Sequence, residues 1–110
     1  MHLDGGAIGG RQVVPAAWIE RLLTRDEELI AAFDSDQLAG LPNACYHDGW
    51  WVWDGAAGIY CGYGINGQQL LIHRPSRTVI ARLSTWPTRW DDRLSALADA
   101  TTRALLERLG

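Results

Sequence analysis

Residues 59–85, IYCGYGINGQQLLIHRPSRTVIARLST, decide most of what this chain can become. The β-type runs Gln68–Arg74 and Thr78–Thr85 are joined by Arg-Pro-Ser-Arg, a tight connection with proline placed for a turn, and so predict an antiparallel hairpin. Val79, Ala81 and Leu83 share one face of the last strand and Ile80, Arg82 and Ser84 the other, so one face reads as core and the other as mixed. A further strand, Ile59–Ile65, precedes the hairpin but carries Gly62 and Gly64 and runs into Gly67. Glycine weakens a strand and marks a bulge or a place where another backbone or a ligand must come close.

Upstream, Trp50–Trp53 is aromatic and β-branched between glycine and aspartate and predicts a short strand. Its successive side chains point to opposite faces, so Trp50, Trp51 and Trp53 cannot all line one wall. Residues 37–49 read as a loop. Pro15 suits the first position of a helix reaching Leu23, and a second helical stretch is expected from Asp26 to Phe33 behind an acidic start. In the C-terminal helix, Thr88 is the expected cap with Asp91 three residues on. Trp90, Leu94, Leu97, Ala98, Thr101, Leu105 and Leu109 fall on one stripe at helical spacing, which predicts that this face packs on the sheet.

Composition excludes several classes of function. A net charge of -3 and scattered arginines offer no basic field for nucleic acid. The apolar runs fall well short of the roughly 20 residues of a membrane span, and the N-terminus lacks an export signal, so a cytoplasmic location is expected. Cys45 and Cys61 then read as reduced, buried small residues. His73, at a strand end beside Arg74, reads as a surface residue.

No metal or other cofactor is expected. Cys45, His47, Cys61 and His73 match no paired zinc-ligand spacing. Ser35, Ser76, Ser84 and Ser95 lie outside any Gly-x-Ser-x-Gly elbow, and all 10 basic residues are arginine, so a Ser-x-x-Lys nucleophile is impossible within this chain. Gly62-Tyr63-Gly64 with Asn66-Gly67 has no βα unit around it, which argues against a dinucleotide site.

The segment from WWVWDGAAG through GYGINGQQ, the Val-Ile strand and the Ser-Thr-Trp-Pro exit resembles the C-terminal part of β-lactamase-related serine hydrolases, most closely the branch of the 6-aminohexanoate-dimer (nylon-oligomer) hydrolases. LDGGAIGGRQVVPAAWI extends the resemblance over nearly the whole chain. It implies that Gly62-Tyr63-Gly64 occupies the third-motif position, which is Lys-Thr-Gly in many β-lactamases and penicillin-binding proteins, and the missing lysine argues against penicillin recognition. It further implies that Ile65 supplies a backbone N–H of the oxyanion hole beside Gly64, with substrate contact at Gly62, Tyr63 and Asn66, the last a position often held by histidine in that family. The serine, lysine and tyrosine of such an enzyme would lie upstream of Met1.

The expected architecture is therefore α/β of the α+β type, a partial β-lactamase/transpeptidase-like fold. It comprises a single segment over residues 1–110, with an antiparallel sheet of about three or four strands, a long C-terminal helix on it and short N-terminal helices. The expected role is the C-terminal portion of a hydrolase of small amides or esters, inactive alone. Two alternatives stand beside it. One is a non-catalytic module docking a second copy or a separate N-terminal fragment through a bare sheet edge; the other is a truncated reading frame with no function of its own.

Overall fold

The computed structural model describes residues 1–33, 38 and 40–109. It is an α+β arrangement. After a 3-10 turn at His2–Asp4 comes a small hairpin of β1 (Ala7–Ile8) and β2 (Arg11–Gln12), then helices α1 (Ala16–Leu23) and α2 (Glu27–Ala32). The main sheet contains β3 (Cys45–His47), β4 (Trp50–Asp54), β5 (Ile59–Tyr63), β6 (Gln69–His73) and β7 (Thr78–Arg82), followed by α3 (Asp92–Leu109). These five strands are antiparallel and lie in the order β3-β4-β5-β6-β7, so β7 is an edge.

Pro15 stands just ahead of α1 as its N-cap, and Asp26 caps α2 by accepting the Leu29 N–H at 3.0 Å. The expected loop over residues 37–49 is in part a strand. β3 pairs with β4 through His47↔Trp50, which leaves Asp48-Gly49 as a two-residue turn with φ of 52° and 83°. Asp-Gly is the composition that a turn with two positive φ angles selects. The hairpin of β6 and β7 forms as expected, with His73 opposite Thr78 and Leu71 opposite Ile80.

The sheet is covered on both faces. On one face Trp53, Cys61 and Leu71 pack with Leu38, Ala44 and Leu106, the last from α3. On the other, Cys45, Val52, Tyr60 and Ile72 pack with Leu22 of α1, with Trp18, Leu29 and Ile30 around them. Cys45 and Cys61 are free, buried and on opposite faces. Strand alternation sends Trp50 to one cluster and Trp51 and Trp53 to the other, as the sequence predicts.

The structure corrects the expectations for α3, its cap, β7 and His73. α3 does not bury its apolar stripe: the residues it hides are Ser95, Asp99, Thr102 and Leu106, while Leu97 is 64% exposed and Leu105 and Leu109 are open. Of these buried polar groups, the Thr102 hydroxyl donates to the Ala98 carbonyl at 2.9 Å and Asp99 accepts from Tyr63 of β5. The cap of α3 is Asp91, whose Oδ1 accepts the Leu94 N–H at 2.8 Å; the Thr88 hydroxyl donates instead to the Trp90 carbonyl. In β7 the wholly apolar set Val79, Ala81 and Leu83 is the exposed one, Leu83 at 88%, and Ile80 and Arg82 turn inward. His73 is buried rather than superficial, its Nδ1 lying 2.6 Å from the Ser76 hydroxyl in the β6–β7 turn.

Candidate functional site

Between Gly62 and Gly67 the chain leaves β5, makes a 3-10 turn at Ile65–Gly67 and enters β6. Gly62 pairs with Leu70 and lies on the side of the sheet where Leu70, Ala81 and Leu83 stand open. A Cβ built on Gly62 meets no atom within 4 Å, so nothing among the described residues requires glycine there. A shallow groove of about 350 Å³ runs along this surface, lined by Gly62, Gly64, Gln68, Leu70, Ala81 and Leu83. Gly62 thus leaves a strip of backbone accessible from one side, whereas a Cβ on Gly64 would lie 2.9 Å from the Gln68 Cβ, so Gly64 makes room for that side chain.

The turn itself is tightly held. Asn66 takes a left-handed conformation, φ 57° and ψ 27°, which asparagine tolerates better than most residues. Its Nδ2 donates to the carbonyls of Trp86 at 2.9 Å and Thr88 at 3.1 Å, its N–H donates to the Arg89 carbonyl at 2.8 Å, and its own carbonyl accepts from Trp86 N–H. Asn66 is therefore committed to fastening the segment after β7. Gln68 does similar work one residue beyond Gly67, its Nε2 donating to the Ser84 carbonyl at 2.6 Å and its Oε1 accepting the Ser84 N–H. Within this held turn Ile65 is 60% exposed, and its N–H donates to no group among the described residues. Gly64, in extended backbone at φ -118° and ψ 170°, precedes it and donates its own N–H to the Gln68 carbonyl at 2.9 Å.

Of the residues singled out in the sequence, Gly62 and Gly64 line the groove, and Ile65 follows them in the turn without lining it. The Tyr63 side chain does not face it. It points through to the α3 face, where its hydroxyl lies 3.0 Å from each carboxylate oxygen of Asp99. Only the backbone of Tyr63 is offered to the open side. Burial, reinforced by Cys61 and Asp99, pushes the Tyr63 phenol far above its ordinary range, and burial raises the Asp99 carboxyl against the opposing pull of Tyr63, Arg82 and Arg103. Cys61, beside them, is pushed up to about 12 by burial and is inert as a nucleophile.

Asp99 carries no signal in the sequence as a site residue. A carboxylate in the middle of a helix is ordinarily solvated, and only the reversal of α3 buries it, to 4% exposure. Arg82 is also pulled inward, its Nε donating to the Gly67 carbonyl at 2.9 Å while the guanidinium lies 5.8 Å from the Trp86 ring centroid. The buried Trp53 Nε1, Gln69 Nε2 and Arg103 Nε have no partner among the described residues.

Among the described residues no group of three or more His, Cys, Asp or Glu side chains is arranged to hold a metal ion, and no helix is long and apolar enough to cross a membrane. A second groove, of about 580 Å³, lies between β7 and α3 and is walled by Ile80, Leu83, Trp86, Leu94, Leu97 and Leu105.

No protein-family model matches the chain. Compared with characterised proteins, it is 34% identical over 109 residues to a 6-aminohexanoate-dimer hydrolase of Paenarthrobacter ureafaciens, an alignment that takes in 96% of this chain and 28% of that protein. Nearly the whole of this chain is thus related to little more than a quarter of a hydrolase.

Proposed function

We propose that this chain is the part of a serine hydrolase, of the β-lactamase-related kind and acting on small amides or esters, that supplies the third-motif strand Gly62-Tyr63-Gly64 and one oxyanion-hole N–H. The similarity to a 6-aminohexanoate-dimer hydrolase supports the reaction class. The observation that carries the reading is the exposed residue Ile65, whose N–H donates to no group among the described residues, two positions after β5 and close to Gly62, which leaves its side of the strand bare.

In this reading the nucleophilic serine and the lysine and tyrosine that move its proton come from outside these 110 residues. The substrate acyl group lies along the strip at Gly62 and Gly64. As the serine adds to the carbonyl, negative charge grows on its oxygen, and the Ile65 N–H donates to that oxygen together with the amide of the serine itself. One such donor is worth about 3 kcal/mol in comparable sites. The substrate is a small acyl compound that lies against Leu70, Ala81 and Leu83.

The test is complementation. The chain is co-expressed with the remaining portion of the related hydrolase and assayed on an activated ester. Activity that appears only when both parts are present, and that is lost in Gly62→Leu, supports the reading; no activity with a demonstrably formed complex overturns it. The isolated chain is expected to take no label from a fluorophosphonate.

A second reading is favoured by the groove between β7 and α3, where Leu83 and Leu97 are open beside an unpaired sheet edge. There the chain is a non-catalytic module that docks a protein partner or a second copy. Concentration-dependent association in size-exclusion chromatography without complementation favours this second reading.

A further inference from the structure

An oxyanion donor works only if it is aimed. Its direction must be held to roughly 10–20° before the substrate arrives, since reorienting it during the reaction would forfeit most of its benefit. The peptide between Gly64 and Ile65 has backbone bonds on either side of it, the Gly64 N–H to the Gln68 carbonyl and the Asn66 N–H to the Arg89 carbonyl, but few contacts of its own. Gly62 and Gly64 have no side chains, Ile65 is exposed, and the Ile65 N–H has no internal partner among the described residues. Beyond the peptide, the turn is clamped by Asn66 to residues 86–89. Before it, the side chain that ties the backbone down between the two glycines is that of Tyr63.

Tyr63 is anchored in turn. Its hydroxyl lies 3.0 Å from both Asp99 oxygens, and Asp99 belongs to the 18-residue helix α3. Burying a carboxylate to 4% exposure is costly, and an apolar residue would pack the same space more cheaply, so this aspartate serves something other than stability alone. We propose that Asp99, acting through the Tyr63 hydroxyl, is the positioning residue for the Ile65 N–H. The inference rests on the reading of Ile65 as an oxyanion donor. It adds that α3, remote from the open strip, sets the angle of that donor.

The test is made on the isolated chain by backbone ¹⁵N relaxation. In the parent protein Gly64 and Ile65 are expected to be as rigid as the sheet, with order parameters near 0.85, despite their exposure. In Tyr63→Phe and Asp99→Ala they are expected to fall below about 0.6 while Leu70 to Ile72 in β6 stay unchanged. Asp99→Asn, whose side-chain oxygen still accepts from Tyr63, is expected to restore them. Rigid Gly64 and Ile65 amides in both Tyr63→Phe and Asp99→Ala would overturn the proposal and leave Asp99 a staple of the fold. Where Asp99→Ala is too unstable to label, Tyr63→Phe decides alone, because it keeps the ring and deletes only the hydroxyl.

This result is separable from the hydrolase reading, which stands or falls on complementation. In the complemented enzyme, Tyr63→Phe is expected to lower kcat by about tenfold to a hundredfold with KM little changed, the pattern of a misaimed transition-state contact.

Discussion

The Trp86 indole occupies the space that a side chain at Gly67 would need. Gly67 has a φ of 86°, and a Cβ there would run into the indole ring. Gly62, five positions earlier, has a Cβ direction that meets nothing within 4 Å. Packing therefore requires glycine at position 67, whereas nothing among the described residues requires it at position 62.

Alanine substitution separates them. Gly67→Ala should cost about 2–4 kcal/mol in urea unfolding, since it combines left-handed strain with a clash against a rigid ring. Gly62→Ala should fall within about 0.5 kcal/mol of the parent, because neither strain nor collision is introduced. A large loss at Gly62 would mean that its open side is not open in solution.

Ile65→Pro deletes the amide hydrogen assigned to the oxyanion. Ile65 begins a 3-10 turn after an extended Gly64, and a first helical position accepts proline because its N–H is not used by the helix. The variant should unfold within about 1 kcal/mol of the parent. In the complementation assay it should lose about 10²–10³ in kcat. Retained activity with retained stability would remove Ile65 from the mechanism.

Asp99 makes stability depend on pH in a defined sense. Burial first, opposed by Tyr63 and the two arginines, lifts its carboxyl in the folded chain above the ordinary 3.8. The folded state then binds a proton more readily than the unfolded state. The associated stability is fully present below pH 3.8 and is lost as pH rises through the folded value. Asp99→Asn removes this dependence, so its stability relative to the parent should improve on going from about pH 4 to about pH 7, as followed by thermal melts at fixed ionic strength.

His2 acts in the opposite direction. Its ring packs among Trp50, Tyr60 and Trp18, with Nδ1 2.9 Å from the Tyr60 hydroxyl, and burial followed by the nearby terminal ammonium holds its pKa below 6.5. Its contribution is present above pH 6.5 and lost as pH falls through the folded value. An NMR titration should place its midpoint below that of the unfolded peptide, and tryptophan fluorescence should change over the same interval as the ring leaves Trp50.

Leu83→Glu and Leu97→Glu probe the groove beside β7. Both side chains are more than half exposed, at 88% and 64%, so each variant should keep the parent's stability within about 0.5 kcal/mol. Each should shift any concentration-dependent elution toward the monomer. A pair of variants that destabilise the isolated chain would show that the groove is closed in solution.

The hairpin of β6 and β7, the strand at Trp50 and both N-terminal helices were legible in the sequence because each rests on local chemistry: a proline turn, a β-branched run, an acidic start. The strand at Cys45–His47 was missed: the residues before Asp48-Gly49 are mixed in character and read as loop. The faces of α3 and β7 were not legible. Periodicity reports which side of an element is apolar, and that side is buried only if the chain supplies something to cover it. Here Tyr63 and Trp53 draw Asp99 and Arg103 inward, and Leu97 and Leu83 face out. At the candidate site, Gly62, Gly64 and Ile65 were named by the resemblance and not by any local pattern. The inward turn of Tyr63 required knowing that Asp99 lay beneath it.

Hidden aspartate and displayed leucine on one helix set up a calorimetric signature. Any association that covers Leu97, Leu105 and Leu109 strips water from apolar surface that folding left hydrated, so its enthalpy should grow more exothermic on warming, with a negative heat-capacity change. Contact made only through the polar backbone of the β7 edge would leave that slope close to flat.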